Sequence, residues 1–119
     1  YADQCRRTAD LVAHNLGLED GDWTLTFQSR FGPAKWLRPY TSEVLANLPG
    51  EGVSEVLMIC PGFATDCLET IEEIKLLNRG IFMQAGGTAF RYVKALNATD
   101  DHVAMVADII NDHLLMVER

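Results

Sequence analysis

The feature that most constrains the fold is the alternation of helix-forming and strand-forming segments along the chain. Apolar residues at helical spacing predict four helices, at residues 3–16, 41–48, 66–79 and 100–116. Aromatic, β-branched or apolar runs predict three strands between them, at residues 23–28, 53–60 and 90–94. Because helices and strands alternate, the sequence predicts an α/β fold in three layers, with a parallel sheet flanked by helices.

The ends of these helices carry recognisable capping residues. Gly17 is a C-terminal stop for the first helix, and Thr41 with Ser42 can cap the second. Asp66 precedes the third helix and Thr99 the last, and both are side chains that favour the N-cap position. We therefore expect each helix to begin at or just after these residues.

Two loops of the predicted sheet are the places to look for function. The strand at 53–60 is continuously apolar rather than alternating, which predicts burial on both of its faces. In parallel sheets, ligands bind outside the carboxyl ends of the strands. The loops that leave the strands there span 28–40 and 60–69, and they are rich in Gly, Pro, aromatic and polar residues.

The composition narrows the class of protein. With 119 residues, 48% of them hydrophobic, the chain has the size of one domain, residues 1–119. Its net charge of −7 argues against a nucleic-acid partner, because a phosphate backbone selects for clustered Lys and Arg. Cys5, Cys60 and Cys67 are an odd count without a CxxC motif, so we expect a reducing, cytoplasmic location. The apolar runs are too short to cross a bilayer, and peripheral contact with the inner membrane stays open.

Three glutamates, Glu69, Glu72 and Glu73, lie near the start of the predicted helix 66–79. Since Glu69 and Glu73 are four residues apart, they project from the same face, where two carboxylates can accept protons or bind a divalent cation. The alternative is that acidic residues in a first helical turn only interact with the positive end of the helix dipole. Asp66 is likewise either an N-cap or a catalytic acid.

The loop 28–40 contains residues suited to holding a flat or anionic ligand. Trp36 either covers the core or forms one wall of a pocket for a flat apolar ligand. Ser29 and Arg30 follow the end of a predicted strand, and Arg30 could bind a carboxylate through charge-assisted hydrogen bonds. Pairing with the protein's own carboxylates explains Arg30 equally well.

Two sequence signatures carry a resemblance to a known family. The segments FQSRFGPAKWLRPYT (27–41) and CPGFATDCLETIEEI (60–74) resemble the paired signatures of the ferrochelatases. The resemblance extends over the whole chain, through YADQCRRTADLV at its start and QAGGTAFRYVKALN before the last helix, and is closest to proteobacterial members. It implies a chelatase-like fold, with this chain as a Rossmann-type half.

The resemblance also implies roles for individual residues. Glu69 corresponds to the glutamate of the family that faces the metal, Glu73 to an acidic position one turn later, and Asp66 to an aspartate just before them. Trp36 corresponds to a tryptophan of the porphyrin cleft. The segments that contain Ser29, Arg30 and Phe63 border the same cleft.

The function implied by the resemblance is the insertion of Fe²⁺, as a substrate, into protoporphyrin IX to give protohaem and two protons. Some relatives carry a third acidic residue where this chain has Leu77. Others carry a C-terminal cysteine cluster for a [2Fe-2S] centre, and because no cysteine follows Cys67 we expect no iron-sulfur cluster.

The resemblance further implies that the chain is the C-terminal part of a larger enzyme. The family pairs its glutamate with a histidine from a segment that precedes the one beginning at Tyr1. We therefore expect an N-terminal half as a partner, and we expect the final helix, 100–116, to pack partly on that half. Alone, the chain is expected to be inactive.

Two other functions stay open on the sequence. The first is a chelatase for another tetrapyrrole or another divalent metal. The second is an acidic α/β binding module without catalysis, for which the carboxylates near Glu69 only form a solvated surface.

Overall fold

The centre of the fold is a strand–helix–strand unit, seen in a computed structural model that describes residues 1–29, 32–33 and 35–117. Strand β1 (Glu55–Met58) pairs in parallel with strand β2 (Ala89–Tyr92). The connection between them contains a π-helix (Glu69–Asn78) that continues directly into α3 (Arg79–Gln84). A crossover helix is what two parallel neighbouring strands require, because a short turn cannot join them.

Three further α-helices and a 3₁₀ helix complete the described structure, namely α1 (Ala2–Leu16), α2 (Thr41–Asn47), the 3₁₀ helix (Leu48–Glu51) and α4 (Asp100–Val117). Helix α1 ends at Gly17, whose φ of 68° lies in the left-handed region and whose N–H bonds to carbonyls of the last turn. The four helical regions predicted from periodicity are confirmed, and so is the stop at Gly17.

The core is small and is built around the crossover. Its fully buried side chains are Phe82, Ile74 and Thr70. Gly87 packs directly on the Phe82 ring, since a Cβ atom at position 87 would lie 2.2 Å from a ring carbon. The turn from α3 to β2 therefore requires glycine at position 87, because a side chain has no space there. The Gly87 backbone N–H also donates to the Phe82 carbonyl at 3.0 Å.

The prediction of a strand at 23–28 was wrong. A strand needs a ladder of backbone partners, and this segment finds them only at 39–41. Phe27 donates to the carbonyl of Pro39 at 2.9 Å and accepts from Thr41 at 3.0 Å, which makes one parallel bridge between Phe27 and Tyr40. Within the described ranges the sheet therefore has two strands, and the α/β class is confirmed at that level.

Two predicted caps were also wrong. Helix α2 has Tyr40 as its N-cap, so Thr41 is the first helical residue, and its hydroxyl shares a hydrogen bond of 2.9 Å with the hydroxyl of Thr26. The π-helix begins at Glu69 with Leu68 as its N-cap, and no side chain caps it. Asp66 lies before that position and is used differently, as described below.

The prediction that β1 is buried on both faces was wrong as well. Val56 and Met58 are half-buried on one face, whereas Leu57 on the other is 63% exposed. The apolar residues of α4 are also exposed, including Val103, Val106, Ile109, Ile110 and Leu114. The radius of gyration is 16.9 Å, against about 13.5 Å for a compact domain of this length. Apolar surface on β1 and α4 is thus open in this chain.

Within the part of the chain that the structure describes, no helix is long and apolar enough to span a membrane.

Candidate functional site

The π-helix divides its residues between two faces. Thr70, Ile74 and Asn78 are four apart, lie on one face and are all buried. On the other side, Glu69 is exposed and Glu73 is half-buried. Because i→i+5 hydrogen bonding widens a π-helix, residues four apart stay close on successive turns, and such segments are frequent at functional sites. The predicted pairing of the two carboxylates on one face is retained in this geometry.

The outer face of the π-helix is joined to the loop 28–40 through Ser29 and Glu73. The Ser29 backbone N–H donates to one oxygen of the Glu73 carboxylate at 2.7 Å, and its hydroxyl donates to the other at 2.6 Å. Ser29 has a φ of 60°, an uncommon conformation for a residue with a side chain. In that conformation, the N–H and the hydroxyl of Ser29 both donate to the Glu73 carboxylate.

Gln28 links the parts of this site, and sequence reasoning missed it. Its backbone carbonyl accepts from Trp36 Nε1 at 2.9 Å, and its side-chain amide donates to the Glu69 carbonyl at 2.7 Å. Its side-chain oxygen accepts from the Cys60 thiol at 3.5 Å. Gln28 was within the signature FQSR, but only Ser and Arg there had a recognisable chemical role.

Glu69 and Trp36 both expose their side chains. Hydrogen bonding from the Cys67 thiol, followed by a backbone hydrogen bond, lowers the pKa of the Glu69 carboxyl, so it is ionised at neutral pH. Trp36 is 44% exposed, so it does not cover the core. Its indole N–H is fixed by Gln28, so the ring is held at the surface of the site.

Asp66 belongs to a separate hydrogen-bonded group, the Asp66 cluster, which it forms with Thr70, Tyr92, Ala95 and Asn97. Its Oδ1 accepts from the Tyr92 hydroxyl at 2.7 Å, the Thr70 hydroxyl at 3.0 Å and the Ala95 N–H at 3.3 Å. Its Oδ2 accepts from Asn97 Nδ2 at 3.0 Å, while its own N–H donates to Asn97 Oδ1 at 2.9 Å. Hydrogen bonds from Asn97 and Tyr92, above all, lower the pKa of Asp66 to about 2.

Neighbouring groups of the Asp66 cluster are held in their neutral forms. Burial, and then the negative charges around it, raises the pKa of Cys60 to about 11. Burial also raises the pKa of Tyr92 to about 12, and its hydrogen bond to Asp66 acts in the same direction. The Cys60 thiol is therefore protonated at neutral pH and is not a nucleophile.

The structure brings together only some of the predicted site residues. Gln28 bonds to the Trp36 indole and to the Glu69 backbone carbonyl, and the adjacent Ser29 bonds to the Glu73 carboxylate. Phe63 is half-buried, and its backbone N–H donates to the Cys60 carbonyl at 3.0 Å. Arg30 lies outside the described residues.

The ligand set around Glu69 and Glu73 is small. Within residues 1–29, 32–33 and 35–117, no group of three or more His, Cys, Asp or Glu side chains is arranged to hold a metal ion. These two carboxylates could therefore supply part of a coordination sphere for a divalent cation, and the remaining ligands would have to come from water, the substrate or other protein groups.

These features define a class of site: two carboxylates of one helix and an exposed aromatic ring of a separate loop, in a parallel α/β unit. The family model for ferrochelatase matches residues 1–114. The chain belongs to the ferrochelatase family, as the two signature loops indicated.

Similar proteins are found in several bacteria. A ferrochelatase of Aeromonas hydrophila is 54% identical over 110 residues, which cover 92% of this chain and 34% of that protein. A ferrochelatase of Alcanivorax borkumensis is 51% identical over 114 residues, covering 96% of this chain and 33% of that protein. A coproporphyrin III ferrochelatase of Streptococcus mutans is 50% identical over 114 residues, covering 96% and 36%. The chain thus spans about a third of the length of these relatives.

Proposed function

We propose that the complete protein containing this chain inserts Fe²⁺ into a porphyrin, with Glu69 and Glu73 as the carboxylates nearest the reaction. The observation that carries the proposal is the shared edge on which Ser29 holds Glu73, Glu69 stays exposed, and Trp36 presents its ring. Membership of the ferrochelatase family supports the same activity.

The chemistry requires groups of this kind. Two pyrrole N–H bonds break and bonds from the nitrogens to iron form, so that Fe²⁺ and the porphyrin give haem and two protons. Glu69 is ionised and exposed, which suits it to face the incoming cation or to receive a proton. Glu73 is fixed by both donors of Ser29, so we assign it the role of a partner carboxylate to Glu69.

The flat substrate is expected to lie against the loop 28–40. Trp36 would form an apolar wall for the macrocycle, since its indole is anchored at one end and exposed on the rest of its surface. Phe63, Ser29 and Arg30 belong to segments that would border the same cleft. Arg30 is the residue suited to a carboxylate of the substrate.

We also propose that the rest of the complete protein supplies the other wall of the cleft, including a histidine upstream of Tyr1. That part would cover the exposed face of β1 around Leu57 and the apolar side of α4, and it would complete a three-layer Rossmann-type half. The isolated chain should then self-associate, because its apolar faces lack their partner. A strictly monomeric isolated chain in sedimentation velocity would contradict this arrangement.

A second candidate substrate has specific support. One relative that is 50% identical is named a coproporphyrin III ferrochelatase, while others of similar identity are named ferrochelatase. Coproporphyrin III carries four carboxylates and protoporphyrin IX two, so recognition of the propionates distinguishes the two substrates. We favour protoporphyrin IX, the substrate that the resemblance of the signature loops implies.

The direct test is an insertion assay with the complete protein under anaerobic conditions. Fe²⁺, Co²⁺ and Ni²⁺ are each supplied with protoporphyrin IX or coproporphyrin III, and metalloporphyrin formation is followed by absorbance. We expect protein-dependent formation of protohaem, above a control without protein. A preference for coproporphyrin III would change the substrate but retain the activity, whereas no insertion with any pair would favour a non-catalytic binding module.

A further inference from the structure

We propose that Asp66 is a positioning residue: its carboxylate joins the first turn of the π-helix to the end of β2, and so determines where Glu69 is presented. This inference rests on the proposed function, because the consequence of misplacing Glu69 is read in metal insertion. It departs from the sequence prediction that Asp66 is itself a catalytic acid.

Most of the hydrogen-bonding capacity of Asp66 is already in use. An ionised carboxylate offers about two lone-pair sites on each oxygen. The donors of Tyr92, Thr70 and Ala95 converge on Oδ1, and Asn97 donates to Oδ2. Asp66 therefore bonds chiefly to the protein, and a ligand on Oδ1 would have to displace one of these donors.

The donors come from parts of the chain that must be held together around the site. Thr70 lies in the first turn of the π-helix, one residue after Glu69, and is fully buried. Tyr92 is the last residue of β2, and Ala95 and Asn97 follow it in the turn toward α4. Asp66 therefore connects the helix that carries Glu69 with the strand that pairs with β1.

Asn97 makes this connection rigid from the opposite side. Its side chain donates to Asp66 and to the Ala95 carbonyl, and its Oδ1 accepts from the Asp66 N–H. Its own backbone N–H donates to the Ala64 carbonyl at 2.9 Å. Asn97 adopts a φ of 51°, a conformation that asparagine tolerates better than most residues. The pair Asp66–Asn97 therefore ties the segment 64–66 to the turn after β2.

The experiment is a double-mutant cycle in the complete protein with Asp66→Asn and Asn97→Ala. In Asp66→Asn, one carboxylate oxygen becomes an NH₂ group, which donates and cannot accept. In one orientation this NH₂ group faces the NH₂ group of Asn97, and in the other it faces the donors that bond to Oδ1 in the wild type. We expect kcat to fall roughly tenfold, since hydrogen bonds to charged groups are strong, with the KM for Fe²⁺ raised and the KM for porphyrin unchanged. In the Asn97→Ala background this conflict is partly removed, so the same change should cost less than about threefold.

The outcomes separate the possible roles of Asp66. An equal loss in both backgrounds would mean that Asp66 acts on the substrate itself, and would overturn the inference. A lower melting temperature with unchanged kcat and KM would reduce Asp66 to a purely structural role and would also overturn it. Failure of the wild-type protein to insert metal would remove the proposed function first, and the positioning role with it.

A milder variant keeps the test decisive if Asp66→Asn does not fold. Tyr92→Phe removes one donor to Asp66 and leaves the ring in place. We expect a lowering of kcat by about threefold, an unchanged circular dichroism spectrum and an unchanged KM for porphyrin. A kcat equal to that of the wild type would count against Asp66 as a positioning residue.

Discussion

The two faces of the π-helix use the same kinds of residue for different purposes. On the inner face, Thr70 is fully buried and bonds to Asp66, which precedes the helix and accepts from four protein donors. On the outer face, Glu69 is exposed, and among the described residues Ser29 supplies the hydrogen bonds to the Glu73 carboxylate. Asp66 thus bonds chiefly within the protein, while the outer carboxylates retain capacity for a ligand.

This difference shows that residue type and proximity do not identify a reactive carboxylate. Asp66 and Glu69 are three residues apart in the sequence, and both are acidic. What distinguishes them is the number of donors already satisfied within the protein, four for Asp66 through its side chain. Substitutions on the two faces should therefore change different observables.

The largest effect on stability is expected at Ile74, which is 1% exposed on the inner face. Ile74→Ala should lower the free energy of unfolding by about 3 kcal/mol, through lost apolar burial and the cavity left behind. Leu77→Ala is the matched control, because Leu77 is 61% exposed, and should cost less than about 0.5 kcal/mol. Urea unfolding of both variants measures the difference, and equal costs would contradict the division into two faces.

A smaller loss is expected when the contact between Gly87 and Phe82 is overfilled. Gly87→Ala should cost about 2 kcal/mol, because the new methyl group overlaps a ring that cannot move freely in the core. Gly80→Ala is the control, since Gly80 lies in α3 with open space around it, and should stabilise the helix by about 0.5 kcal/mol. Thermal unfolding of the pair checks the sign of each change.

On the outer face, Ser29→Ala removes one of the two bonds to Glu73 and retains the backbone N–H. We expect the turnover number to fall about fivefold, equivalent to about 1 kcal/mol for one hydrogen bond to a charged group. Unfolding should change little. A Ser29→Ala variant with full turnover would show that the bond is dispensable.

The smallest expected effect is a change in stability at acidic pH. Because the pKa of Asp66 is lowered to about 2 from an ordinary value of 3.8, its contribution to stability is present above about pH 4. That contribution should be lost as the pH falls toward 2, since the unfolded chain binds the proton first. The stability of Asp66→Asn, followed by urea unfolding between pH 5 and pH 2, should therefore depend less on pH than that of the wild type; identical slopes would contradict the role of Asp66.

Much of the fold followed from local sequence. The helical spacing of 3–16 with its Gly17 stop was confirmed, and so was the parallel pairing of two apolar strands. The strand at 23–28 was not, because β-branched and aromatic residues indicate a strand only if a backbone partner is available, and this segment pairs through Phe27 alone. Exposure of Leu57 was unpredictable for a related reason, since burial depends on what else covers the sheet.

The site was predicted in its parts but not in its connections. The loops 28–40 and 60–69 were expected at the carboxyl ends of two strands, but the segment before Ser29 is not a strand of the sheet, and Ser29 bonds to Glu73 in the π-helix. The sequence predicts Asp66 as either an N-cap or a catalytic acid, because an acidic residue before a helix has the same pattern whether it caps that helix or accepts from distant donors such as Tyr92. The π-helix has no distinct periodicity in so short a segment, and Gln28 has no chemical signature of its own.

The most direct test of the account compares two neighbouring glutamates of the same helix in the complete protein. Glu69→Gln removes the charge of the proposed metal-facing group, and Glu72→Gln removes the same charge from another exposed side chain. With Fe²⁺ and protoporphyrin IX, we expect Glu69→Gln to lower kcat by about 10²-fold or more and Glu72→Gln to leave it within about twofold. Equal turnover of the two variants would contradict the assignment of the outer face of the π-helix as the site of metal insertion.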